Sequence, residues 1–172
     1  MFHGNPSGID TSVAASGRAV LYRKGHPPEA LSLRHPINLV VGDTGSASST
    51  RDTVASVARQ HAQNPAKIEE IFDGIEALVV NARSALQTGE GSRLGQLMSL
   101  NQKLLSTMLL STSQLEEMCQ AAEKAGALGA KLTGGGGGGC MIALVEHAPQ
   151  AAAIVAALEA LGRRAFPVEV GG

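Results

Sequence analysis

Aromatic residues make up only 2% of the 172 residues, and there is no tryptophan. A chain so poor in rings has no platform for stacking bases, which argues against recognition of single-stranded nucleic acid. Its core must instead be aliphatic, and a hydrophobic fraction of 44% is enough to build one. An excess of one charge is also missing: 14 Lys and Arg stand against 15 Asp and Glu, for a net charge of −1. Without a dense basic patch the chain is not a phosphate-backbone binder. Cys119 and Cys140 are too few for a disulfide framework or a zinc site. Both have apolar sequence neighbours and read as buried thiols of a reducing compartment. His26, His35, His61 and His147 show no metal-ligand spacing. No apolar run approaches membrane-spanning length. These absences set the expectation of a cytoplasmic protein of one domain or slightly more, with no membrane and no nucleic-acid partner.

What the chain does have is glycine. Lys131-Leu132-Thr133 runs into six consecutive glycines, Gly134, Gly135, Gly136, Gly137, Gly138 and Gly139, and then into Cys140-Met141-Ile142-Ala143-Leu144-Val145. Backbone N–H groups in such a loop can form a concave site for phosphate oxygens. A flexible linker is the plainer reading, but linkers mix Gly with polar residues and join independent domains. A dinucleotide fingerprint or a Walker loop opens into a helix, whereas this run opens into an apolar β-type segment. It is neither of those motifs.

A second unusual stretch lies at His3-Gly4-Asn5-Pro6-Ser7-Gly8-Ile9-Asp10. Pro6 holds Asn5 extended, Ser7 or Asn5 can cap a helix opening near Gly8, and Asp10 then falls in its first turn. A carboxylate there is either a favourable first-turn acid or a functional group. Strands are expected over 18–23 and 38–41, with a shorter one over 31–33. The strand over 38–41 ends in Gly42-Asp43-Thr44-Gly45, a small polar turn that is a plain turn or a ligand loop. Helical periodicity then dominates. It runs through Val54, Val57 and Ala58, and through Ile68, Ile71, Phe72, Ile75, Leu78, Val79, Ala82 and Leu86 after Asn64-Pro65. A third stripe carries Leu94, Leu97, Met98, Asn101, Leu104, Leu105 and Met108, whose methionines read as core filler. Ser113-Gln114-Leu115-Glu116 reads as a capping box opening a fourth helix. An Ala-rich helix over 149–161 and a strand over 165–170 follow the glycine run. The order predicts an α+β layer, helices on an antiparallel sheet.

Taken together, three stretches resemble mevalonate kinases of the GHMP kinase superfamily. His3 to Asp10 is similar to the family's H-G-x-P-S-G, aliphatic residue, D. Val41-Gly42-Asp43-Thr44-Gly45 with Ser49-Thr50 is similar to the D-T-G…S-T segment of bacterial and archaeal members. Gly129-Ala130-Lys131-Leu132-Thr133-Gly134 through Cys140 resembles G-A-K-L-T-G-x-G-G-G-G-C, with Gly135 standing where the family commonly has Ala. The resemblance covers essentially the whole chain. It implies a GHMP kinase C-terminal domain, ferredoxin-like, over 48–172, preceded over 1–47 by a remnant of the N-terminal kinase domain. It implies ATP- and Mg²⁺-dependent phosphorylation of a small alcohol, mevalonate first, with Asp10 as catalytic base or hydroxyl-orienting group. Ser7, Gly8, Asp43, Thr44 and Gly45 would lie on the substrate side, and Thr133 with Gly134–Gly139 would wall the nucleotide site. No metal ligand is assigned.

No segment resembles the family's lysine-containing first motif or its P-x-x-x-G-L-G-S-S-A nucleotide loop. The expectation is therefore a chain inactive alone, whose remnant strands have open edges. Its partners would be a small-molecule substrate and either a missing N-terminal kinase half or further copies of itself in a homo-oligomer. The alternatives are a stand-alone small-molecule-binding or oligomerisation module, and another GHMP kinase such as phosphomevalonate kinase.

Overall fold

The computed structural model describes residues 9, 13, 17, 19–47 and 49–171. Its strands are β1 (Val20–Leu21), β2 (Glu29–Ala30), β3 (Ile37–Asp43), β4 (Gly129–Thr133), β5 (Cys140–Val145) and β6 (Arg164–Val170). Its helices from residue 50 onward are α1 (Thr50–Gln63), α2 (Pro65–Thr88), α3 (Gly91–Thr107), α4 (Ser113–Lys124) and α5 (Ala148–Ala160). β4, β5, β3 and β6 form, in that order, one antiparallel sheet. The expected α+β class, with helices on an antiparallel sheet, is what forms.

Alternation along the strands turns one face of the sheet inward. Val40, Ala130, Leu132, Met141, Ala143 and Val145 meet Leu115, Met118 and Cys119 of α4 and Ile154 and Leu158 of α5. Leu115, Met118, Leu132, Met141, Ile154, Leu158 and Val40 are almost completely excluded from solvent. Each such side chain contributes about 1.5–3 kcal/mol through removal of apolar surface from water. Among the described residues no aromatic ring is buried, whereas Met98, Met108, Met118 and Met141 are.

The sheet edges are managed differently. α3 covers the β4 edge at very close range: a Cβ on Gly129 would overlap the backbone carbonyl of Gly95, and one on Gly95 the carbonyl of Leu128. Buried Gln102 of α3 completes the cover. Its Oε1 accepts from Leu132 N at 2.8 Å, and its Nε2 donates to Ser111 Oγ and Glu116 Oε1, each at 2.8 Å. The other edge, β6, carries Pro167 in mid-strand, a residue tolerated only where no further strand pairs.

Local signals account for most element ends. Ser49 caps α1, its Oγ accepting from Asp52 N at 3.3 Å. Asn64 caps α2, whose first residue is Pro65, and Gly89 ends it with φ 80°. The β1–β2 pair lies against α2 through Arg83–Glu29 and Arg23–Glu76, exposed ion pairs that contribute little.

Several expectations need correction. Residues 31–33 are not a strand; the partner of β1 is Glu29–Ala30. Lys131-Leu132-Thr133 is not part of the glycine loop but the end of β4, so the run closes a β4–β5 hairpin with Thr133 opposite Cys140. Glycine content hid this strand, because its first residue sits under α3 where no side chain fits. Helix α4 is capped by Thr112, whose Oγ1 accepts from Leu115 N at 3.3 Å, and Ser113 is its first residue. Cys119 is buried, but Cys140 is only half-buried. β3, which precedes residue 47, is bonded on both sides, to β5 and to β6. Among the described residues β1 and β2 pair with each other and with no other strand. The proposed entry helix from Gly8 falls mostly outside the described residues.

Candidate functional site

The site lies where the β4–β5 hairpin loop meets the turn after β3. Asp43 lies opposite Cys140 across the sheet, so β3 delivers Thr44 to the side of the glycine run. Thr44 is buried, and both its N–H and its Oγ1 donate to Gly139 O, at 3.0 and 2.8 Å. Gly139 N donates in return to Ser46 O at 3.0 Å, and Ser46 N donates to Thr44 Oγ1 at 3.2 Å. Asp43 Oδ1 accepts from Gly45 N at 2.9 Å, which shapes the turn. From the far side Arg163 Nη1 donates to Thr44 O at 2.9 Å, while the Arg163 Nε is buried with no hydrogen-bond partner among the described residues.

The tip of the loop is held separately. Gly137 N donates to Leu110 O at 2.7 Å. Two glycines here are obligatory. Gly136 has φ +76°, and a Cβ on it would approach Leu110 O to 2.5 Å; Gly138 has φ +132°, and a Cβ there would approach Ser46 O to 3.1 Å. Gly135 is different. A Cβ there would meet Thr50 Oγ1 at 3.1 Å with no positive φ, so the alanine common in the resembling family fits after a small shift. The loop thus lies between the 44–46 turn, the first turn of α1 and the connection from α3 to α4. That connection holds Leu109 at φ 57°, the one left-handed non-glycine residue among those described.

The electrostatics are mild. Burial pushes the Cys140 thiol up, and the nearby Asp43 carboxylate adds to this. Cys140 beside the loop is therefore protonated near neutral pH. Burial, with help from Glu116 and Glu123, pushes Cys119 up to about 12. Among the described residues no group of three His, Cys, Asp or Glu side chains is placed to hold a metal ion. Next to the loop an apolar groove of about 670 Å³ opens between α1, α2 and the end of α3, walled by Val54, Val57, Phe72, Leu105 and Leu110 and ending on Gly135.

The structure brings together Asp43, Thr44, Gly45, Thr133 and Gly134–Gly139. Ser7, Gly8 and Asp10 lie outside the described residues. Sequence reasoning missed Ser46, Leu110 and Arg163. Ser46 and Leu110 act through carbonyl oxygens, which no side-chain pattern announces. Arg163 sits in a turn after Gly162 and carried no motif signal.

The chain matches the family model described as GHMP kinases C terminal over residues 82–164. It is 41% identical over 149 residues to a mevalonate kinase of Pyrococcus abyssi, covering 84% of this chain and 44% of that protein. It is 28% identical over 179 residues to a mevalonate kinase of Arabidopsis thaliana, covering all of this chain and 47% of that protein. The chain thus spans about half the length of these curated relatives. Its fold is similar to the crystal structure of L. major mevalonate kinase in complex with R-mevalonate, with TM-score 0.90 and 35% identity over 97% of this chain and 54% of that one. A likeness of fold alone, at 19% identity and TM-score 0.83, links it to Streptococcus pneumoniae phosphomevalonate kinase, over 98% of this chain and 57% of that one. By sequence and by fold the chain carries a GHMP kinase C-terminal domain, matched over residues 82–164, and is similar to mevalonate kinases.

Proposed function

We propose that this chain serves ATP-dependent phosphorylation of mevalonate to phosphomevalonate, with the nucleotide loop supplied by a kinase half that these 172 residues do not resemble. The observation that carries the reading is the similarity, across nearly the whole chain, to a mevalonate kinase solved with R-mevalonate. In the transfer, the substrate hydroxyl oxygen bonds to the γ-phosphorus of ATP as the bond to the β,γ-bridging oxygen breaks. ADP leaves, and the hydroxyl proton passes to a base. Asp10 is that base or orients the hydroxyl, and Ser7, Gly8 and the Asp43-Thr44-Gly45 turn flank the substrate. Thr133 and the glycine run wall the nucleotide side. Positioning and charge neutralisation carry most of such a reaction, so groups that hold the ATP phosphates are needed from elsewhere. No step is assigned to Mg²⁺ on the described residues. The work would take place in the cytoplasm.

Two features support a second polypeptide segment at this site. The glycine loop's Gly137 and Gly139 N–H groups are already donated to protein carbonyls. Large apolar side chains stand exposed on α1 and α2, with Val54 at 63% and Phe72 at 43%, and surfaces of that kind mark contacts with other chains. The test measures mevalonate-dependent ADP release by the chain alone and after mixing with the N-terminal half of a mevalonate kinase. Activity is expected only in the mixture and is lost with Asp10→Asn. Robust turnover by the chain alone, or normal turnover by the Asp10→Asn mixture, would overturn the proposal.

A further inference from the structure

Away from the glycine loop, a cleft of about 170 Å³ lies between α2, α3 and β4. Its walls are aliphatic: Ile75, Leu78 and Val79 from α2, and Leu97 from α3. Two polar side chains enter it, Asn101 of α3 and Lys131 of β4. The Lys131 ammonium has three protons to donate, and the one acceptor it finds is Leu132 O, at 2.6 Å. No carboxylate among the described residues pairs with it. The Asn101 amide likewise has no hydrogen-bond partner among them. Burial draws the Lys131 ammonium below the usual lysine range. A mostly buried cation without a counter-ion is costly, and an anion that reached it would relieve the cost.

We propose that this cleft binds a small monocarboxylate, with Lys131 and Asn101 taking the carboxylate and the aliphatic wall taking a short hydrocarbon tail. The cavity is smaller than the roughly 300–1,000 Å³ of sites for drug-sized ligands, which restricts the occupant to a few carbons. One point charge and one amide suit a monoanion. A phosphate dianion has more oxygens than these donors satisfy. The site is independent of the phosphotransferase reading, since it uses neither the glycine loop nor the 43–46 turn.

The test is a titration of the full chain with butyrate, followed by methyl chemical shifts. Saturable shifts are expected at Ile75, Leu78 and Leu97, in the millimolar range appropriate to so small a ligand. Butan-1-ol, with the same tail and no charge, should not reproduce them. Lys131→Met keeps the apolar stem and removes the unpaired charge, so the fold should hold while butyrate affinity falls about tenfold or more. Asn101→Ala should give a smaller loss. The proposal fails if butyrate causes no saturable shift in the unmodified chain, if butan-1-ol binds as well, or if Lys131→Met binds butyrate equally. It also fails if Lys131→Met changes the sedimentation of the chain, because the carboxylate would then come from a second copy.

Discussion

The core beneath the sheet and the cluster between α1, α2 and the end of α3 are made of the same aliphatic residues but closed to different degrees. Beneath the sheet, Val40, Leu115, Met118, Met141, Ile154 and Leu158 are sealed from both sides. In the second cluster only Ile68, Ile71 and Met108 are buried, and α1 buries no residue at all. Strand alternation explains the first: every second residue of three strands meets two helices. The second rests on a helix pair with a groove beside it. The glycine loop lies between them. Its ends, Thr133 and Cys140, are paired in the sheet, whereas its middle touches Thr50 and Thr53 of the loosely held α1. The candidate site is therefore rigid on the sheet side and adaptable on the helix side, the arrangement expected where a second element must close over a scaffold.

That contrast can be broken at its firmest point first. Gly129→Val places a side chain into the Gly95 carbonyl and should cost more than about 4–5 kcal/mol, enough to abolish cooperative unfolding. Retention of a cooperative thermal transition near that of the unmodified chain would show that α3 is not seated on the β4 edge. Leu115→Ala follows, with an expected loss of about 2–5 kcal/mol by denaturant titration. A loss below about 1 kcal/mol would mean that the core beneath the sheet is not sealed.

Sealing also has a pH signature. Cys119 ionises near 9.0 when free and near about 12 in the folded chain. Between those values the folded state binds more protons than the unfolded one. This contribution is fully present below pH 9 and is lost as pH rises, by up to about 1.4 kcal/mol per pH unit. Burial lowers the Lys131 pKa, so its term has the opposite sign and lifts stability on approach to its free value of 10.5. Cys119→Ala should flatten the alkaline decline, and an unchanged slope in that variant would place the thiol in contact with water. The smallest effect is expected in the open cluster, where Val54→Ala should change stability by less than about 0.5 kcal/mol. A loss as large as that of Leu115→Ala would remove the contrast between the two clusters.

Much of this was legible in the residues. The helix stripes, the exit of the glycine run into a strand and the aliphatic core follow from periodicity and composition, which local physics enforces. Placement of Thr44 beside the glycine run was not legible in the residues, since it depends on β3 pairing with β5 across about a hundred residues of sequence. The β4 strand was hidden because its need for Gly129 comes from α3 packing, not from local preference. The groups that hold the loop, Leu110 O and Ser46 O, are backbone atoms common to every residue. Phe72 and Val79 belong to an apolar stripe, but whether such a stripe is covered depends on which neighbours are present.

The central claim is that the glycine run is a wall held in place by the protein, and not itself the cradle of the ATP phosphates. Amide hydrogen exchange at Gly137 and Gly139, with and without ATP, tests this most directly. Both amides should be protected in the free chain, through Leu110 O and Ser46 O, and ATP should leave their exchange unchanged. Fast exchange in the free chain that becomes slow on adding ATP would contradict the claim and make the loop itself the phosphate site.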